Sequence, residues 1–95
     1  MIRIDNNGIT CTKGDIFNLL MAVEPWDANA TYTCTATVGN GSVSFTCSLF
    51  RNKYVRVYSN SMNLSKGIGT IVMTKDGEEV MNRPFIVEEV FHNNG

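Results

Sequence analysis

The chain has 95 residues, a formal net charge of -1 and an apolar fraction of 43%, the scale of one domain, residues 1–95, around one two-layer core. Acidic and basic residues are interspersed, so no nucleic-acid partner is expected, since that needs clustered Lys and Arg. No apolar run approaches the roughly 18 residues of a membrane span, and the opening residues, Met1 to Asp5, lack a signal peptide's build. The reading is a protein made in a cytoplasm, and kept or assembled there.

Ile2 and Ile4 alternate with Arg3 and Asp5 as a short strand, and Asn6-Asn7-Gly8 is a turn signal. Ile9 to Thr12 alternates again until Lys13-Gly14-Asp15 breaks it. Ile16–Glu24 is open to two readings, because periodicity does not separate a buried strand from a short helix. Gly14 before it, Pro25 after it and its length favour a strand covered on both faces. Pro25 to Ala30 is a loop carrying the single Trp, Trp26.

Thr31–Phe50 reads as a hairpin about Asn40-Gly41, a strong signal for a two-residue type I′ loop. That loop pairs Val38 with Val43, Ala36 with Phe45, Cys34 with Cys47 and Tyr32 with Leu49. The opposite face carries Thr33, Thr35, Thr37, Ser44, Thr46 and Ser48, so the ribbon is half-buried. A disulfide between Cys34 and Cys47 is sterically conceivable, but in a cytoplasm two buried thiols are favoured.

Tyr54 to Tyr58 forms a strand with Tyr54, Arg56 and Tyr58 on one face and the valines on the other. Such a stripe is either a ligand-binding surface using stacking and cation–π contacts or a plain cross-strand ladder. Ser59–Lys66 crosses back, with Met62 and Leu64 plugging one end of the core. Gly67–Thr74 and Glu79–Phe91 pair about Asp76-Gly77, a second type I′ signal, and 92–95 is expected to fray. Pairing here sets Met73 against Val80 and Val72 against Met81, leaving apolar side chains on both faces. Val72, Met73, Val80, Met81, Phe85, Val87 and Phe91 are either a docking surface or apolar residues merely tolerated on a solvent face. The whole is expected to be all-β, an antiparallel sandwich of about seven or eight strands or, failing that, a small barrel.

Chemistry-bearing constellations are not found. The single His, His92, lies near the end of the chain. The three cysteines are distant from one another, without the spacing of a zinc site. Glu78-Glu79 and Glu88-Glu89 are neighbours on strands, so the members of each pair point to opposite faces. Gly67-Ile68-Gly69 has no helix after it to hold a phosphate. The expectation is no enzyme, no cofactor and no metal.

Lys13-Gly14-Asp15-Ile16-Phe17, Leu64-Ser65-Lys66-Gly67, Asp76-Gly77 and Arg83-Pro84-Phe85, in that order, resemble the small immunoglobulin-like domains of bacteriophage virions. The chain is similar to the N-terminal domain of phage baseplate upper proteins, and departs from it at Pro25 to Asn29, where that family has Asp-Leu-Thr-Gly. The resemblance implies an Ig-like β-sandwich and a structural protein of the virion: a head fibre, a capsid decoration protein or a baseplate accessory. It also implies docking on other virion proteins and self-association as a dimer or trimer. The alternatives are an exported carbohydrate- or protein-binding adhesion module using the Tyr54–Tyr58 face, and a small inhibitor of a host enzyme.

Overall fold

Alternation dominates the observed architecture. The computed structural model describes residues 2–51 and 53–89, and every regular element among them is a strand. They are β1 (Arg3–Asp5), β2 (Gly8–Thr12), β3 (Phe17–Ala22), β4 (Tyr32–Val38), β5 (Gly41–Phe50), β6 (Tyr54–Ser59), β7 (Gly67–Lys75) and β8 (Glu78–Glu88). All eight join one sheet in the order β1-β2-β8-β7-β4-β5-β6-β3. The sheet is mixed, not wholly antiparallel as expected, because β2 runs parallel to β8, Ile9 to Thr12 beside Phe85 to Glu88. The chain takes most of its length to return from β2 to β8, and only a long connection permits a parallel pair.

The sheet curls through β5. Its first half pairs with β4 and its second half, Thr46 to Phe50, pairs with β6. The curl brings Phe17 of β3 against Phe45 and Phe85, with ring centroids 4.6 and 5.9 Å apart. Around these rings lie Ile9, Cys11, Met21, Cys34, Ala36, Val55, Val57, Ile71, Met73 and Val87. Met62 and Leu64 are buried, and plug the core as their spacing predicted.

Two hairpins depart from the expected register. The first turns at Gly39-Asn40, with Val38 opposite Gly41, Ala36 opposite Val43 and Cys34 opposite Phe45. Gly39 takes a φ of 59° and Asn40 is not among the positive-φ residues, so only the first loop position is left-handed, the type II′ requirement that Gly meets. A shift of two residues keeps every side chain on its expected face. It separates Cys34 from Cys47, which instead stands opposite Val57.

The second hairpin does turn at Asp76-Gly77, with φ of 52° and 87°, the type I′ pattern. A bulge then intervenes: Thr74 pairs with Glu79 but Met73 with Met81, leaving Val80 unpaired. One extra residue exchanges the two faces beyond it. Val72 therefore stands opposite Asn82 rather than Met81.

β3 is a strand, as favoured, but it is the last strand of the sheet and only one of its faces is covered. Phe17 and Met21 are buried, whereas Asn18, Leu20 and Ala22 are exposed. The expected final strand stops at Glu88; Val90, Phe91 and the tail 92–95 lie outside the described residues.

Candidate functional site

The bulge at Val80 decides the fate of the first candidate surface. Met73, Phe85 and Val87 are buried in the core and have no face to offer a partner. Met81 is half-buried against that core and Val72 is half-buried on the outer side. Val80 is exposed, and Phe91 lies outside the described residues. Besides Val72 and Val80, the apolar residues that β7 and β8 turn outward are Ile68 and Ile86. Ile68 and Ile86 stand opposite one another and floor an open groove of about 510 Å³ rimmed by Lys66 and Glu88.

The second candidate lies on one face of β6, with neighbours from two further strands. Val55 and Val57 point into the core, so Tyr54, Arg56 and Tyr58 point out. The registers then supply neighbours that the stripe alone did not show. Leu20 stands opposite Arg56, Ala22 opposite Tyr54 and Asn18 opposite Tyr58 on β3. Phe50 stands opposite Tyr54, Ser48 opposite Arg56 and Thr46 opposite Tyr58 on β5.

Arg56 is the centre of this face. Its guanidinium carbon lies 5.0 Å from the centroid of the Phe50 ring, and that of Arg51 lies 5.3 Å from the same centroid. A guanidinium at that distance is attracted by the ring's negative face. The Arg56 Nε is buried and has no hydrogen-bond partner among the described residues. A buried N–H normally finds an acceptor; the guanidinium that carries this one packs on the Phe50 ring. Leu20 and Tyr54 remain 41% and 38% exposed. Aromatic groups, an arginine and a leucine thus form one solvent-facing surface, the composition enriched at protein interfaces.

The cysteines are free thiols, with Cys11 and Cys34 buried and Cys47 half-buried. Burial pushes the Cys11 thiol up to about 11. Burial, reinforced by Cys47, pushes Cys34 up to about 12. Burial also raises Cys47. Thiols held in their neutral form make poor nucleophiles and poor metal ligands. Among the described residues no group of three His, Cys, Asp or Glu is placed to hold a metal ion. His92 lies outside those residues. Among the described residues no helix is long and apolar enough to cross a membrane.

Phe50 and Leu20 were missed by sequence reasoning because they belong to strands other than that of the stripe. The signal for Leu20 was the polar Asn18 two residues before it, which marks the even positions of β3 as the wet face. No protein-family model matches the chain, and no curated protein matches it in sequence.

Proposed function

We propose that the chain is a non-enzymatic docking module, an Ig-like domain of a bacteriophage virion that attaches to other virion proteins through the outer face of β5, β6 and β3. The observation that carries the docking reading is the Arg56–Phe50 pair set among Tyr54, Tyr58 and Leu20 on one open sheet face. Large, rigid side chains of this kind bury much area at low entropic cost and dominate the binding energy of interfaces.

Two features support the Ig-like reading. β3 pairs with β6, which pairs in turn with the second half of β5, while β4 pairs with β7 and the first half of β5. In a sandwich assignment these become the two layers, and β5 is the strand that changes layer. The Phe17–Phe85 contact is then a contact between layers.

The virion reading rests on the four short motifs, and each has a structural task. Gly14 turns the chain with a φ of 89°. Leu64 fills the core three residues before β7 begins its pairing at Gly67. Asp76-Gly77 makes the type I′ turn. Pro84 stands where β8 ceases to be an edge and acquires β2 as a neighbour from Phe85 onward, and proline is tolerated at such a margin.

The test is mass spectrometry of density-purified particles from a bacterial culture that propagates the gene. The chain is expected at a fixed ratio to the major capsid or baseplate protein, and Arg56→Glu is expected to remove it from particles while retaining the β-sheet dichroism of the unaltered chain. Particles that lack the unaltered chain would refute the virion reading. Particles that keep the Arg56→Glu variant at full ratio would refute the face.

A further inference from the structure

The two margins of the sheet differ. β1 has three residues, Arg3, Ile4 and Asp5. Arg3 is tied to Glu88 by an ion pair of 3.1 Å, and Asp5 accepts a bond from Arg83 at its carbonyl. A short, charged edge strand is protected against pairing with another chain. β3, at the opposite margin, has six residues, Phe-Asn-Leu-Leu-Met-Ala, with no charge and no proline. Ile16 beside it is 62% exposed and Leu20 within it 41% exposed. Among the described residues no charge, proline or bulge protects this edge.

The backbone of β3 shows which groups are unpaired. Val23 N–H donates to the Lys53 carbonyl at 2.8 Å, which continues the β3–β6 register in which Met21 faces Val55. Antiparallel ladders alternate hydrogen-bonded and non-hydrogen-bonded pairs. The odd residues, Phe17, Leu19 and Met21, therefore turn their N–H and C=O toward β6. The even residues Asn18, Leu20 and Ala22 turn theirs away from the sheet, where no described strand meets them.

These free groups are symmetric about Leu20. We propose that β3 pairs with β3 of a second copy across a two-fold axis at Leu20. Leu20 then faces Leu20 of the partner subunit, and Asn18 and Ala22 face each other as hydrogen-bonded pairs. This register keeps the even side chains on the outer face of both copies and the odd ones on the inner face. Leu19, half-buried in one copy, acquires the second copy's Met21 as a neighbour. No charged residue of β3 meets its own kind. The two Arg56 side chains, each opposite its own Leu20, are separated by three strand spacings, roughly 14 Å at about 4.8 Å each, which salt largely screens. A self-complementary patch of this kind is what a closed two-fold dimer requires. The resemblance to virion domains also implies self-association, but this edge needs no virion and is tested without one.

The register gives an unusual test, because residue 20 faces itself. Sedimentation equilibrium of the unaltered chain is expected to yield twice the monomer mass of 10.5 kDa. Leu20→Lys alone and Leu20→Glu alone are each expected to fall to the monomer mass. Mixing the two is expected to restore the doubled mass, as a one-to-one pair by native mass spectrometry. Leu20→Pro removes an outward N–H and leaves the β3–β6 ladder bonds in place, so it is expected to remain folded as a monomer. An unaltered chain that stays monomeric to millimolar concentration overturns the proposal. So do charge variants that remain dimers separately, or that fail to combine while retaining the β-sheet dichroism of the unaltered chain.

Discussion

Phe17 and Phe85 lie with ring centroids 5.9 Å apart although β3 and β8 are not neighbours in the sheet. Both rings are almost fully buried, and Phe45 lies against each of them, with centroids 4.6 Å from Phe17 and 6.4 Å from Phe85. The triad therefore joins β3, β5 and β8 across the curl. Truncating a buried Phe costs about 3–5 kcal/mol, a large part of the roughly 5–15 kcal/mol that holds a small domain together. Phe17→Ala and Phe85→Ala are each expected to lower the urea midpoint severely, and Phe17→Leu and Phe85→Leu much less. A double-mutant cycle of the two leucine variants should show coupling of about 0.5 kcal/mol or more. Strict additivity would mean that the rings do not support each other.

Gly69 stands opposite Phe85 in the β7–β8 ladder. A Cβ on it would lie 1.7 Å from the Thr37 carbonyl oxygen. That oxygen is backbone, so it yields only if the end of β4 moves away from β7. Gly69→Ala is expected to loosen the Thr37–Thr70 end of the β4–β7 ladder. Hydrogen exchange should quicken at Thr37, Val38 and Thr70, while amides near the β3–β6 ladder stay protected. Unchanged exchange at β4 would show that the close approach is absent in solution.

The buried thiols set a pH dependence with a definite sign. An ordinary Cys here titrates at 9.0, whereas Cys11 is held near 11 and Cys34 near 12, in both cases chiefly because burial penalises the thiolate. Above pH 9 the unfolded chain loses these protons while the folded one retains them. The unfolded state is then favoured, and the slope of unfolding free energy with pH is negative. The stabilisation is complete below pH 9 and is lost as the pH rises toward 12. In urea melts at pH 8 and pH 10.5, Cys34→Ala is expected to be less stable than the unaltered chain at pH 8. It should also lose less stability between the two pH values. Equal losses would mean that Cys34 is not held neutral by the fold. Cys47, only half-buried, should be the first thiol to react with an alkylating reagent.

The faces of the strands were legible from the sequence, and their exact pairing was not. Thr33, Thr37, Ser42 and Ser44 are exposed and Cys34, Ala36 and Phe45 buried, because a period of two assigns faces whatever the register. A slip of two residues leaves that pattern untouched, so nothing in it separated a turn at Asn40-Gly41 from the one at Gly39-Asn40. The bulge was hidden for a related reason. Val80 and Met81 are adjacent and both apolar, and only the demand of Phe85 and Val87 for the interior shows that one residue must be skipped. The β2–β8 pair left no local trace, being a parallel contact made across most of the chain. At the candidate site the stripe Tyr54, Arg56, Tyr58 was legible because it lies on one strand. Phe50 joined it only through the β5–β6 register.

Trp26 gives the last prediction its readout. Its ring lies 5.7 Å from that of Tyr32 at an interplanar angle of 14°. The Tyr32 hydroxyl donates to the Asp27 carbonyl at 3.1 Å and accepts from the Asp27 N–H at 3.3 Å. Lys75 Nζ donates to the Pro25 carbonyl at 2.8 Å, and Thr31 N–H to Asp76 Oδ1 at 2.9 Å. The loop between β3 and β4 is thus held at one point by a phenol and at two others by the β7–β8 turn. Tyr32→Phe keeps the ring and removes only the hydroxyl, leaving a part-buried N–H and carbonyl unsatisfied at a cost of about 1–3 kcal/mol. The expected result is a lower melting temperature with the strands intact, and greater quenching of Trp26 fluorescence by acrylamide as the loop lifts from β4. Lys75→Met should act in the same direction but more weakly, since an exposed bond to a lysine contributes less than a part-buried pair. Quenching that does not change in Tyr32→Phe would mean that ring stacking alone, and not the hydroxyl, holds the loop down.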